Sequence, residues 1–275
     1  MTKVLSAAQI KAYHDDGFLM PFDLYSEHEA AQLSTKFEAL EAAIGDEPQE
    51  RFRIKAHLPF PWLCSVIREP RLLDAVEELI GPDILCWGAS FFAKKPNDPR
   101  YVSWHTDSFF YGFEPAETLT AWLAFHPSTV ESGCVRYIPA SHKKITVHEI
   151  KPDTHNLLPM GQNAIIPPEQ KFVDAILAPG QVVFHHEMVV HGSGPNNADH
   201  PRVGFSMHYV APHVRETRFE GSTAMLLRGE DKYGYWNPDP EPEKDFDPVC
   251  IQAMHDTRAL YLQATTTKIN AGRRS

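Results

Sequence analysis

The chain has 275 residues, of which 43% are hydrophobic and 23% are charged, a composition typical of a globular protein rather than of a disordered one. Its 36 acidic and 26 basic residues give a formal net charge of −10, which argues against a nucleic-acid partner because no basic block compensates it. No apolar stretch is long enough to predict a membrane span, and the N-terminal residues lack the apolar core of a signal peptide, so we expect a cytoplasmic protein. From its length we expect the chain to fold as a single domain over residues 1–275.

The N-terminal part, residues 1–82, is predicted to be helical. Ser6 followed by Gln9 is a capping-box pattern at the start of a first helix. A second helix is indicated by apolar residues spaced four, three and four apart: Leu33, Phe37, Leu40 and Ile44. A third is bounded by a proline near its start and a glycine at its end, over residues 70–81.

The pattern changes over residues 83–212, where short apolar runs rich in Val, Phe, Trp and Tyr alternate with Gly, Pro, Asn and Asp. This spacing is typical of the strands of a sandwich or barrel, and closing the strands into a jelly roll removes their exposed edges. The predicted fold class is mainly β with flanking helices around a double-stranded β-helix of the cupin-like kind. A proline-rich insertion, residues 143–172, has a length that is typical of a functional or a disordered loop, and residues 213–275 form a C-terminal arm.

The segment WHTD contains two residue types that bind metals, His105 and Asp107. On an extended segment, residues i and i+2 project from the same face, so the two side chains can reach one ion. The pair alone is not specific, and a third ligand must come from a distant strand, where the candidates are His185, His186, His191 and His208. His191 lies eleven residues before Arg202, whose guanidinium can hold a carboxylate through two parallel hydrogen bonds. Two histidines, a carboxylate and an arginine suggest the facial triad of non-haem iron beside an acidic cosubstrate.

The chain resembles the phytanoyl-CoA dioxygenase (PhyH) family of Fe(II)- and 2-oxoglutarate-dependent oxygenases. The segments that carry the resemblance are, in chain order, LSAAQIKAYHDDGFLM, WHTD, AWLAFHPSTVESGCVRYIPASHK and LAPGQVVFHHEMVVHGSGPNNADHPRVGFSMHYV. They cover most of residues 5–211. The resemblance implies that His105, Asp107 and His191 hold Fe(II). The residues that it places beside 2-oxoglutarate are Arg202, Ser193, Trp122 and Thr120.

The activity implied by the resemblance consumes O2 and 2-oxoglutarate, releases succinate and CO2, and hydroxylates an aliphatic C–H bond. Related halogenases replace the ligating carboxylate by Gly or Ala, so Asp107 favours hydroxylation, desaturation or ring closure over chlorination. Two alternatives belong to other classes: a zinc jelly-roll enzyme without redox chemistry and a pseudo-enzyme that only binds a ligand. Arg202 argues against the first alternative, and the intact set of three metal-binding residues argues against the second.

The substrate is expected to be a small polar or zwitterionic molecule or a secondary metabolite, with an acyl-CoA as a further alternative. This expectation depends on two segments in which amide and cationic side chains lie near aromatic ones, the 143–172 insertion and residues 226–239. The candidate substrate contacts are Tyr111, Asn156, Gln162, Lys94 and Arg228. We also expect the insertion to be a mobile lid that orders over the pocket when substrate binds.

Overall fold

Five of the helices that the structure describes lie in the N-terminal part of the chain, and a sixth lies at its C-terminal end. The structure, a computed structural model, describes residues 3–45, 47–158 and 160–272, of which the last six, 267–272, are described by their backbone. The helices are α1 (Ala7–Asp16), α2 (Glu27–Ile44), α3 (Pro48–Arg51), α4 (Pro61–Ile67), α5 (Pro70–Ile80) and α6 (Pro248–Gly272).

The predicted helices are found with the caps that the sequence indicates. Ser6 Oγ accepts from the N–H of Gln9 at 3.2 Å, while Gln9 Oε1 accepts from the N–H of Ser6 at 2.9 Å. Gly17 ends α1 in the left-handed region, with φ of 85°, a conformation that glycine adopts without steric cost. The predicted apolar stripe of α2 is buried at three of its positions: Leu33, Phe37 and Leu40.

Strands make up most of the remaining chain. The first are β1 (Phe18–Asp23), β2 (Ile84–Lys94), β3 (Val102–His105), β4 (Phe113–Glu114), β5 (Leu119–Ala124), β6 (Val135–Tyr137), β7 (His148–Ile150) and β8 (Gln162–Ala164). The later strands are β9 (Val173–Asp174), β10 (Gln181–His186), β11 (His191–Ser193), β12 (Arg202–Val210), β13 (Arg215–Glu216), β14 (Thr223–Arg228) and β15 (Asn237–Pro238).

Two facing sheets form the double-stranded β-helix that the sequence predicts. The larger has seven strands in the order β1-β10-β5-β12-β2-β14-β15, and the smaller has four in the order β3-β11-β6-β9. Strands from outside residues 83–212 extend the larger sheet on both sides, because β1 pairs with β10 and β14 pairs with β2. The N-terminal part is therefore not purely helical as predicted. Pro21 lies within β1, and proline is tolerated there because β1 is an edge strand.

Alternation along the central strands separates the hydrophobic core from the functional face. All nine residues of β12 are buried, so both faces of this strand are covered. One set packs with α2, α4 and α5 in the main core: Val203, Phe205, Met207 and Tyr209. The set between them faces the smaller sheet: Arg202, Gly204, Ser206 and His208. Because strand side chains alternate with a period of two, one strand supplies core packing and polar chemistry at the same time.

The C-terminal arm returns across this barrel. Lys55 Nζ and Asp239 Oδ2, both fully buried, form an ion pair of 2.5 Å that ties the linker before α6 to the N-terminal region. The ring of Tyr261 on α6 stacks on Trp87 of β2, with ring centroids 5.7 Å apart. The C-terminal arm thus adds two strands, β14 and β15, to the larger sheet and covers one end of the barrel with a helix. No helix in the part of the chain that the structure describes is long and apolar enough to cross a bilayer.

The 143–172 insertion is partly ordered into a hairpin. Strands β7 and β8 pair antiparallel, with His148 opposite Ala164, and β8 packs beside β3. The insertion therefore brings a strand to the metal-binding side of the smaller sheet, which its irregular, proline-rich sequence did not indicate. Whether it moves when substrate binds stays a prediction.

Candidate metal centre and cavity

Two histidines meet because β3 and β11 pair in register. His105 and His191 lie directly opposite each other, and their ring centroids are 4.1 Å apart. Asp107 follows β3 in a short 3-10 turn. Potential ligand atoms of these three residues all lie within 4.8 Å of one another. The structure thus brings together the three residues that the sequence proposed as metal ligands.

Backbone carbonyls orient both imidazoles. His105 Nδ1 lies 2.9 Å from the carbonyl oxygen of Ser103, and His191 Nδ1 lies 3.0 Å from that of Val189. Because a carbonyl only accepts, each Nδ1 carries the hydrogen and each Nε2 keeps a free lone pair. The two Nε2 atoms lie 3.5 and 3.7 Å from Asp107 Oδ1. Two nitrogen lone pairs and one carboxylate oxygen that converge in this way fit the two-histidine, one-carboxylate site of Fe(II).

The second carboxylate oxygen of Asp107, Oδ2, is bound by two neighbouring side chains. Oδ2 lies 3.3 Å from His185 Nε2 and 3.2 Å from Thr120 Oγ1. Tyr137 lies 2.9 Å from His185 Nδ1, so its hydroxyl donates to Nδ1 while Nε2–H donates to the carboxylate. Thr120 Oγ1 also lies 2.9 Å from His208 Nδ1. These contacts occupy Oδ2 and leave Oδ1 facing the two metal-binding imidazoles.

Burial and neighbouring charges set the protonation of the centre. Burial by itself would raise the pKa of Asp107, but His191, His105 and His185 together hold that pKa well below its usual range. Burial lowers the pKa of His191 well below its ordinary value, and it lowers the pKa of His208 to about 4. At neutral pH Asp107 is therefore ionised and His191 is neutral, as metal ligation requires.

Two buried basic side chains lie at one end of the centre. Arg202 and Lys94 are each about 1% exposed and lie opposite each other on β12 and β2. The hydroxyl of Ser193 contacts both, 3.2 Å from Arg202 Nη2 and 2.7 Å from Lys94 Nζ. Among the described residues no carboxylate lies within ion-pair distance of either one. Buried basic groups without an acidic partner are costly, so this pair is suited to an anionic ligand.

Trp122 forms a wall beside Arg202. The guanidinium carbon of Arg202 lies 5.4 Å from the centre of the Trp122 ring, a cation–π contact. Trp122 lies opposite Ser206 of β12, and its ring extends over the neighbouring Gly204, where an added Cβ would lie 1.9 Å from ring atom Cζ2 of Trp122. Trp122 thus lies beside Arg202, and its contact with 2-oxoglutarate stays a prediction. The hydroxyl of Thr120 contacts Asp107 and His208 instead.

A cavity of about 440 Å³ contains the metal-binding side chains and the Arg202 end. Aromatic and aliphatic side chains form most of its remaining wall: Trp87, Phe110, Tyr111, Leu158, Met160 and Tyr261. Tyr111 and Gln162, two of the predicted substrate contacts, line it. Lys94 lies instead beside Ser193 and opposite Arg202.

Two other predicted substrate contacts lie elsewhere. Asn156 is behind the wall, where its amide binds the backbone N–H and the hydroxyl of Ser103. Arg228 lies on β14 and pairs with Asp74 and Glu77 of α5, at 2.8 and 2.7 Å. The prediction for Arg228 was wrong, because the two carboxylates that neutralise it are about 150 positions away in the chain and the local sequence gives no sign of them.

The sequence did not indicate that α6 lines the cavity. Arg258, Tyr261 and Thr265 lie three and four residues apart and form the helix face turned to the cavity. Arg258 is half-buried, and no carboxylate of the described residues pairs with it. The sequence named His185 as one of four candidate third ligands. It shares a face of β10 with Val183, two residues before it, and this face lies on the same side of the sheet as the functional residues of β12.

Comparison with known proteins agrees with this arrangement. A family model described as phytanoyl-CoA dioxygenase (PhyH) matches residues 13–204. The chain is similar to the peroxisomal phytanoyl-CoA dioxygenase of Rattus norvegicus, with 25% identity over 256 residues that cover 82% of this chain and 75% of that protein. It is also similar to a probable alpha-ketoglutarate-dependent hypophosphite dioxygenase of Stutzerimonas stutzeri, with 25% identity over 214 residues, 70% of this chain and 74% of that protein. Among solved structures it resembles a non-heme monooxygenase, ThoJ in its apo form, with a TM-score of 0.81, 28% identity, and coverage of 96% of this chain and 99% of that chain.

Proposed function

The chain belongs to the phytanoyl-CoA dioxygenase family of Fe(II)- and 2-oxoglutarate-dependent dioxygenases, and we propose that it hydroxylates an aliphatic C–H bond of a small molecule with a largely apolar body and an anionic group. The observation that carries the proposal is the juxtaposition, in one cavity, of a two-histidine, one-carboxylate cluster and the buried side chain of Arg202. Lys94 is buried beside it on Ser193, and neither basic group has an acidic partner among the described residues.

In this proposal His105, Asp107 and His191 hold the metal. Iron bound there, together with 2-oxoglutarate and O2, supplies the oxidising power for C–H cleavage while the cosubstrate becomes succinate and CO2. His185 and Thr120 fix Asp107 in one orientation by binding the oxygen that does not face the imidazoles. The protein thereby presents its ligands without rearrangement, which lowers the cost of binding.

Arg202, Lys94 and Ser193 are the proposed partners of the distal carboxylate of 2-oxoglutarate. A guanidinium can bind a carboxylate through two parallel hydrogen bonds, and Arg202 Nε has no hydrogen-bond partner within the described residues. Trp122 closes the side of this site and keeps water from the guanidinium. A bound anion would give both basic groups an acidic partner and so offset the cost of burying them.

The aromatic part of the cavity wall favours a substrate that is mostly apolar. The wall formed by Trp87, Tyr111 and Tyr261 offers aromatic surface rather than a set of charges, so a small zwitterion would leave most of it without complementary contact. Arg258 supplies a cation without an acidic partner among the described residues. The secondary-metabolite alternative is therefore preferred to the small zwitterion that the sequence suggested.

The test is succinate formation from 2-oxoglutarate by the purified chain, measured with Fe(II), with Zn(II) and without metal, across a panel of apolar carboxylic acids and small zwitterions. Of the three metal conditions, we expect only Fe(II) to support succinate formation. The apolar carboxylic acids of the panel should increase its rate. The His191→Ala variant should lose both metal binding and turnover. Turnover with Zn(II), or full activity of His191→Ala with stoichiometric iron, would contradict the proposal.

A further inference from the structure

Gln162 is a buried amide that lines the cavity without a hydrogen-bond partner. Its side chain is fully buried, and neither Nε2 nor Oε1 is bonded within the part of the chain that the structure describes. It shares the cavity with His105 and Asp107. Folded proteins satisfy nearly all of their buried polar groups, and an amide has two donor hydrogens and an acceptor oxygen. A buried amide that has no hydrogen-bond partner beside a metal-binding cluster indicates a place where a bound ligand supplies the missing hydrogen bonds.

The backbone of Gln162 is fixed to the strand that carries His105. Ser103 Oγ donates to the carbonyl oxygen of Gln162, and Asn156 Nδ2 donates to Ser103 Oγ at 2.9 Å. Asn156 Oδ1 also accepts from the backbone N–H of Ser103 at 3.3 Å. These bonds hold β8 against β3, so the free amide is presented by an ordered frame rather than by a loose loop.

We propose that Gln162 recognises an amide group of the substrate, and that the substrates are amide-linked carboxylic acids with an apolar body, of which N-acylated amino acids are the simplest. This inference rests on the function proposed above. An amide presents an N–H and a C=O, and so can satisfy both Oε1 and Nε2, whereas an ester or a carboxylate offers acceptors alone. The aromatic wall takes the apolar body, and Arg258 takes the carboxylate.

The cosubstrate is a poorer partner for Gln162. As a dianion, 2-oxoglutarate offers acceptors and no donor, so it would leave Oε1 of Gln162 unsatisfied. Its distal carboxylate also has a built site at Arg202 and Lys94. The assignment of Gln162 to the substrate therefore predicts that changing this residue alters substrate affinity and leaves the affinity for 2-oxoglutarate unchanged.

The test compares two probes that differ in one atom. The full chain is loaded with Mn(II) and 2-oxoglutarate, which prevents turnover, and titrated calorimetrically with N-acetylphenylalanine and with O-acetylphenyllactate, the ester that replaces the amide N–H by oxygen. The wild-type chain should bind the amide about tenfold more tightly, the effect of one hydrogen bond to a buried acceptor. In Gln162→Met, which keeps the length of the side chain, this ratio should fall to about one.

Two further variants separate recognition from folding. Gln162→Glu keeps an acceptor for the amide N–H, so the amide should still bind more tightly than the ester. Asn163→Leu is the matched control, because the neighbouring Asn163 donates to Glu149 at 3.0 Å on the other face of β8, and it should retain the wild-type ratio. Equal binding of both probes by wild type, an unchanged ratio in Gln162→Met, or weakened 2-oxoglutarate binding in that variant would overturn the assignment. Succinate formation with Fe(II) is recorded on the same preparations: its absence in wild type refutes the proposed function, whereas its presence without an amide preference refutes the role of Gln162.

Discussion

Replacing Arg202 by methionine should separate the effect of its buried charge on the stability of the fold from its effect on the binding of 2-oxoglutarate. Burial lowers the pKa of Arg202 from 12.5 to about 10, and since one pKa unit corresponds to about 1.4 kcal/mol, the charge costs the ligand-free fold on the order of 3 kcal/mol. Methionine removes this cost but leaves the carbonyls of Gly133 and Phe92 without their donor, at about 1–3 kcal/mol for each buried acceptor. The two effects oppose each other, so we expect the free energy of unfolding without ligand to stay within about 2 kcal/mol of wild type.

The effect on 2-oxoglutarate should be much larger. Removing one partner of a buried charge pair costs about 3–5 kcal/mol, which raises the dissociation constant by roughly two to three orders of magnitude. The assay is thermal unfolding with Mn(II), with and without 2-oxoglutarate. A ligand at 100 times its dissociation constant stabilises a protein by about 2.7 kcal/mol, a rise in Tm of about 5–10 °C for a chain of this size. Arg202→Met should lose nearly all of this rise.

Arg228→Met provides the matched control. Arg228 is bound to two carboxylates of α5 and lies away from the cavity, so this variant should keep the full rise in Tm with 2-oxoglutarate. If Arg202→Met gained as much stability from 2-oxoglutarate as wild type at the same concentration, the assignment of Arg202 would be refuted. A fall of more than about 10 °C in its ligand-free Tm, equivalent to several kcal/mol, would show that the residue serves the fold instead.

Three further changes test other parts of the site. His185→Leu removes the donor to Asp107 Oδ2 and should weaken Mn(II) binding about 10–100-fold in a calorimetric titration, with partial recovery in His185→Gln. Gly204→Ala places a methyl group against the ring of Trp122 and should cost about 1–3 kcal/mol in denaturant unfolding; an unchanged midpoint would mean that the ring can move aside. Burial lowers the pKa of His186 from 6.5 to about 4, so between these values the unfolded chain takes up a proton that the folded chain does not, and stability should fall as the pH falls from about 6.5 to 4. The slope of Tm against pH should be shallower in His186→Gln, and equal slopes would exclude this residue as a contributor.

The metal centre was predictable because its signal is local and is repeated at a recognisable spacing. His105 and Asp107 are two residues apart on an extended segment, and His191 precedes Arg202 by eleven. This spacing suggested a metal site, and the family resemblance singled out His191 among the four candidate histidines. The fold class followed from the same kind of signal, since short apolar runs between turn residues indicate strands without any knowledge of their partners.

What the sequence did not indicate depends on contacts between distant segments. The acidic partners of Arg228 and the docking of α6 over the cavity are set by packing between elements that lie far apart in the chain. Thr120 was placed beside the cosubstrate because it shares a face of β5 with Trp122. Strand alternation alone does not say which groups its hydroxyl meets, and in the structure these are Asp107 and His208. Local propensity also failed for β1, where an edge position accommodates Pro21.

The alternation along β12 limits how a protein of this design can change. A single-residue insertion or deletion near the start of the strand would exchange the two faces beyond it, so that Phe205 and Met207 would enter the cavity while Ser206 and His208 would enter the apolar core. Point substitutions on either face are far less disruptive, because they alter one side chain at a time. New substrate preferences are therefore accessible through the 143–172 insertion and through α6, which border the cavity from outside the strand register and can vary in length without shifting the metal ligands.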